Sequence, residues 1–97
     1  AASGKPTELG FGKLESDEKF KTKADVAGAV MASYDYVIAA LKDMNDSQLM
    51  EECKVFDIPM TRELAFNKAF EHQTHHRGQT TQYLRAQGKI PPQEMLF

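Results

Sequence analysis

Val26, Val30, Tyr34, Val37 and Leu41 recur at spacings of four, four, three and four, and Met31 and Ile38 widen the same face. A repeat near 3.6 residues sustained over this length describes a helix, because strand side chains alternate with a period of two. Thr22 offers a hydroxyl cap at the start and Asp25 an acid in the first turn, where the helix dipole favours negative charge. The spacing predicts a helix over about 23–43.

Asn45, Asp46 and Ser47 then interrupt the pattern, with Leu49 and Met50 suited to one further helical turn. Cys53 to Met60 reads as a short connector with apolar anchors at Val55, Phe56 and Ile58, ended by Pro59 and Met60. Thr61 caps a second helix. From Arg62 to about Ala86 there is no proline, and no β-branched pair except Thr80 and Thr81, so this helix is expected over about 62–86. Gly88 stands where a left-handed C-cap residue is wanted, and Pro91-Pro92 cannot continue a helix. The lead-in to about Glu18 holds Gly4, Pro6, Gly10 and Gly12 and reads as an irregular loop. Met95, Leu96 and Phe97 are expected to pack back on the body.

Two helices and their loops form a hairpin whose outer apolar faces remain uncovered. The expected architecture is therefore all-α: an antiparallel helical hairpin forming half of a four-helix bundle, completed by a second chain or by helices preceding Ala1. With 97 residues, the chain has room for one domain, either 1–97 as a single domain or the C-terminal fragment of a larger one. Twelve Lys and Arg against fourteen Asp and Glu disfavour a nucleic-acid binder that works by neutralising phosphates. The single Cys53 closes no internal disulfide, and no uninterrupted apolar run of 18 residues marks a membrane span. A soluble, cytoplasmic protein is expected.

All three histidines lie within five positions, in Glu71-His72-Gln73-Thr74-His75-His76-Arg77-Gly78-Gln79. At about 100° per residue His72 and His76 project within roughly 40° of one another, while His75 points elsewhere. One helical turn brings two imidazoles close enough to hold a single divalent ion at about 2.0–2.1 Å each, and a satisfied, half-buried polar pair is the structural alternative. Zinc usually needs at least three protein ligands, and no other donor is an obvious one, Cys53, Glu51, Glu52 and Asp57 being candidates in or just before the connector. Gln73 directly after the first histidine, in place of Glu, excludes the zinc-protease mechanism. Tyr34, Tyr36, Phe66 and Phe70 read as core or interface packing, Cys53 as a small apolar residue, and Gly78 as a point of close helix approach.

The string Asn67-Lys68-Ala69-Phe70-Glu71-His72-Gln73-Thr74-His75-His76-Arg77-Gly78-Gln79, followed by Tyr83-Leu84-Arg85, Gly88 and Pro91-Pro92, resembles the last helix of the DinB-like superfamily. These are damage-inducible proteins related to bacillithiol- and mycothiol-dependent transferases, distinct from the DNA polymerase that shares the name. The resemblance covers nearly the whole chain and the C-terminal part of the family's length. It implies a divalent metal, zinc or nickel, held by three histidines, two of them His72 and His76, with the third on a helix absent here. It further implies a metal-dependent hydrolase or thiol S-transferase acting in stress response or detoxification on a small thiol substrate, with no catalytic base assignable. The expected partner is a second copy, as a homodimer, or a complementary N-terminal half of the same protein. The competing expectation is a non-catalytic helical dimerisation or binding module with a structural His pair.

Overall fold

The structure, a computed structural model, describes residues 2–4 and 17–93. Helix α1 spans Lys23–Lys42, a four-residue helix α2 spans Asp46–Leu49, strands β1 and β2 span Glu52–Val55 and Ile58–Thr61, and helix α3 spans Arg62–Ala86. Most of the expected lead-in loop and the terminal apolar residues lie outside the described residues.

The helix ends follow from side-chain capping. Thr22 Oγ1 accepts from the Asp25 amide at 3.1 Å, and the Asp25 carboxylate accepts from the Thr22 amide at 3.2 Å, which closes a reciprocal capping box. Asn45 and Gln48 repeat that arrangement at α2, at 3.0 Å in both directions. Thr61 Oγ1 accepts from the Leu64 amide at the start of α3. At its far end Gly88, with φ +67°, donates to the Arg85 carbonyl while the Lys89 amide donates to Leu84, both at 2.9 Å. This is a Schellman ending, and the left-handed residue it requires is glycine.

The all-α expectation is overturned between the helices. The presumed connector is an antiparallel β-hairpin in which Val55 pairs with Ile58, Lys54 with Pro59, Cys53 with Met60 and Glu52 with Thr61. Phe56 and Asp57 turn the chain with φ of 50° and 65°, the signs of a type I′ turn, whose twist matches that of the flanking strands. Pro59 fits because Val55 and Ile58 form the hydrogen-bonded pair that closes the turn. The next residue along directs its missing N–H away from the partner strand.

The antiparallel helical hairpin, as half of a four-helix bundle, is overturned as well. The extended contacts of α3 are with β1, β2 and α2, and α1 makes no extended contact with it. Arg62 organises the packed end of α3. Its Nη2 lies 2.9 Å from the Glu51 carboxylate, its amide donates to the Glu51 carbonyl at 2.9 Å, and its Nη1 reaches the Ser3 carbonyl at 3.4 Å. Gly4, at φ +66°, lies against this guanidinium where a Cβ would stand 2.7 Å from Nη1.

Among the described residues the buried apolar side chains are Ala40, 2% exposed, and Ala65, 5% exposed. The stripe on α1 is open to solvent, with Met31 62% exposed. By length and composition alone α1 is apolar enough to cross a membrane. A search for uninterrupted apolar runs passes over it because Asp25, Ser33 and Asp35 fall inside. Core helices of soluble proteins meet the same criterion.

Candidate metal centre

Helix α3 sets the site by periodicity. One turn separates His72 from His76, and their rings meet edge to face with centroids 4.5 Å apart. The two Nε2 atoms lie 3.1 Å apart. On the other side of its ring, His76 Nδ1 lies 2.8 Å from Gln79 Oε1. That amide oxygen can only accept, so Nδ1 carries the proton and His76 Nε2 presents a lone pair toward His72. In that tautomer His72 Nε2–H is the donor to it.

This geometry can be tested against a divalent ion. Two nitrogens each bonded to zinc at 2.0–2.1 Å, at a tetrahedral angle, stand about 3.3 Å apart. The observed spacing differs from that by a few tenths of an ångström, so the two nitrogens are spaced for one ion, which would stand beside the line joining them and would require the proton between them to leave. Gln79 supplies the outer hydrogen bond that metal-bound histidines use to fix ring orientation and tautomer. Sequence reasoning passed over Gln79, although its position three residues after His76 was the available signal.

His75 takes no part in the pair. Its ring meets that of His76 edge to face, with centroids 5.4 Å apart. The His pair is exposed on the helix surface. Among the described residues no group of three His, Cys, Asp or Glu side chains converges. Glu51, Glu52, Cys53 and Asp57 sit on or beside the hairpin at the start of α3, and His72 begins about 15 Å further along the axis. Glu51 is engaged by Arg62.

Glu71, next to His72 in sequence, is also committed. Its carboxylate accepts from Lys68 Nζ at 2.8 Å, and that hydrogen bond, with the ammonium charge, holds it below the usual carboxylate range. The expected close approach at Gly78 is not found, since a Cβ built there meets nothing within 4 Å. Phe70, 72% exposed, is no part of a core within this chain.

The site thus offers two neighbouring imidazole nitrogens on an exposed helix face, with the Gln79 amide oxygen against the far side of the His76 ring. No curated protein and no solved structure matches the chain. The sequence model of the DinB family matches residues 8–95. That match takes in the hairpin and both long helices, and the chain belongs to the DinB family.

Proposed function

We propose that this protein binds a divalent transition metal, zinc or nickel, through Nε2 of His72 and Nε2 of His76, with further ligands from outside the described residues. The observation that carries this reading is the 3.1 Å approach of the two nitrogens, ordered by the Gln79 hydrogen bond. A bound ion would supply Lewis acidity, lowering the pKa of a coordinated water or thiol toward neutrality. The chain's own residues orient the two imidazoles and hold the proton on His76 Nδ1. A metal-dependent hydrolase or thiol S-transferase, acting on a small thiol in stress response or detoxification, is the activity this donor set and family membership fit.

Titration calorimetry with Zn²⁺ and Ni²⁺ tests it. His72→Ala and His76→Ala should each abolish the binding heat and the accompanying rise in melting midpoint, while His75→Ala changes neither. Gln79→Ala should weaken affinity by about tenfold with both ligands present. Metal binding that survives His76→Ala would exclude the site.

A second reading is favoured by the open stripe on α1. There the protein serves as a non-catalytic association module whose Met31 and Tyr34 surface meets a second copy or a complementary N-terminal half of the same protein. Sedimentation with and without metal separates the two, because association through α1 persists in the His72→Ala variant.

A further inference from the structure

After Gly88 reverses the chain, Ile90, Pro91 and Pro92 return beside α3 and wall a groove of about 1050 Å³. Its other wall is the flank of α3 bearing Thr74, Arg77, Thr81, Leu84 and Arg85, with Lys89 at the bend. At about 100° per residue Thr74, Thr81 and Arg85 lie on the far side of the helix from His72 and His76, while Thr80 forms the edge of the groove toward His76, and no residue of the His72, His76 and Gln79 set lines it. The groove therefore does not share the proposed metal site.

Three cations line it, Arg77, Arg85 and Lys89, and among the described residues no carboxylate does. Arg85 and Lys89 have no ion-pair partner among the described residues. A cation in the last helical turn is accounted for by the dipole, which explains Arg85. Lys89 lies beyond the helix, where that explanation does not reach. The carbonyls of Leu84 and Arg85 are already capped by the Lys89 and Gly88 amides, which blunts the negative helix end toward an incoming anion. Opposite the charges stand the apolar surfaces of Leu84, Ile90 and the two prolines, with Ile90 96% exposed. A lone inorganic anion would leave that wall unused.

We propose that this groove binds a small amphiphilic organic anion, its charged head between Arg85 and Lys89 and its apolar body against Ile90 and Pro91. The probe is 1-naphthyl phosphate, titrated by fluorescence and by amide chemical shifts into the full chain with chelator present. Neutral 1-naphthol and inorganic phosphate serve as comparison. The aryl phosphate should bind at least tenfold tighter than either, with shifts at Gly78, Thr81 and Ile90. Raising the salt should weaken it. Arg85→Ala with Lys89→Ala should reduce affinity at least tenfold, and His72→Ala with His76→Ala should change it less than twofold. Because Arg85 also supports the helix end, Lys89→Glu alone gives an independent reading, a loss of threefold or more with the far-UV spectrum unchanged. Equal affinity for 1-naphthol, or an affinity untouched by Lys89→Glu, overturns the proposal.

Discussion

Helices α1 and α3 are built by the same capping chemistry and differ in nearly everything else. Helix α1 is the apolar one, yet its stripe faces solvent and touches no other element extensively. Helix α3 is polar along most of its length, yet it carries the hairpin, α2, the Arg62 anchor and every histidine. Hydrophobic patterning therefore shows where a chain is prepared to be covered, which differs from where this chain covers itself. An unpartnered helix of 20 residues draws little stability from its own hydrogen bonds, so α1 is the element whose order depends most on association.

The contrast is sharpened most by changes at the packed end. Arg62→Ala removes the Glu51 ion pair and the reach to Ser3, and should cost about 2 kcal/mol in urea unfolding. A loss under about 0.5 kcal/mol, as for an exposed pair, would mean that the start of α3 is not the anchor. Ala65→Leu should cost about 1–3 kcal/mol by overpacking, whereas Ala32→Leu on α1 should be nearly neutral. Equal costs would break the comparison, because α1 would then be covered in solution.

Smaller effects follow from the turn and the helix interiors. Phe56→Asn combined with Asp57→Gly should stabilise the chain by about 1 kcal/mol, because both positions hold positive φ and a bulky residue is strained there. Thermal melts of the double variant check this. Gly28→Ala and Gly78→Ala should each stabilise by about 0.5–1 kcal/mol, since a Cβ at either site meets open space. If Gly28→Ala instead lowers the melting point, a partner occupies that face of α1.

The smallest effect is electrostatic. The Asp17 carboxyl titrates below its ordinary 3.8, first because the Lys19 amide donates to it and then because the Lys19 ammonium stands 3.0 Å away. A lowered carboxyl pKa contributes stability that is present above the unfolded value and lost as pH falls through the folded one. In a carbon-detected NMR titration Lys19→Ala should return Asp17 only part of the way to 3.8, because the backbone donor stays.

Much of the local structure was legible before any coordinates. The 3.6-residue stripe located α1, the Thr22–Asp25 and Thr61 caps marked where helices begin, and Gly88 marked where α3 ends. The hairpin was not read, although Glu52-Cys53-Lys54-Val55 alternates polar and apolar, as its alternating exposure bears out. Pro59 argued against a strand, and Phe56-Asp57 lacks the glycine or asparagine that announces a tight turn. The spacing of His72 and His76 was visible, but the role of Gln79 was not, because a side-chain hydrogen bond depends on rotamers that spacing leaves open.

Capping and periodicity are interactions between residues three or four apart, so the order of residues alone sufficed to place both long helices and bring two imidazoles onto one helix face. Which surfaces meet is a long-range matter. That α3 packs on a β-hairpin and the apolar stripe of α1 stays open, and that a cationic groove opens beside α3, depended on contacts between segments distant in the chain. Those contacts are set by competing packings of similar energy, which no local pattern ranks.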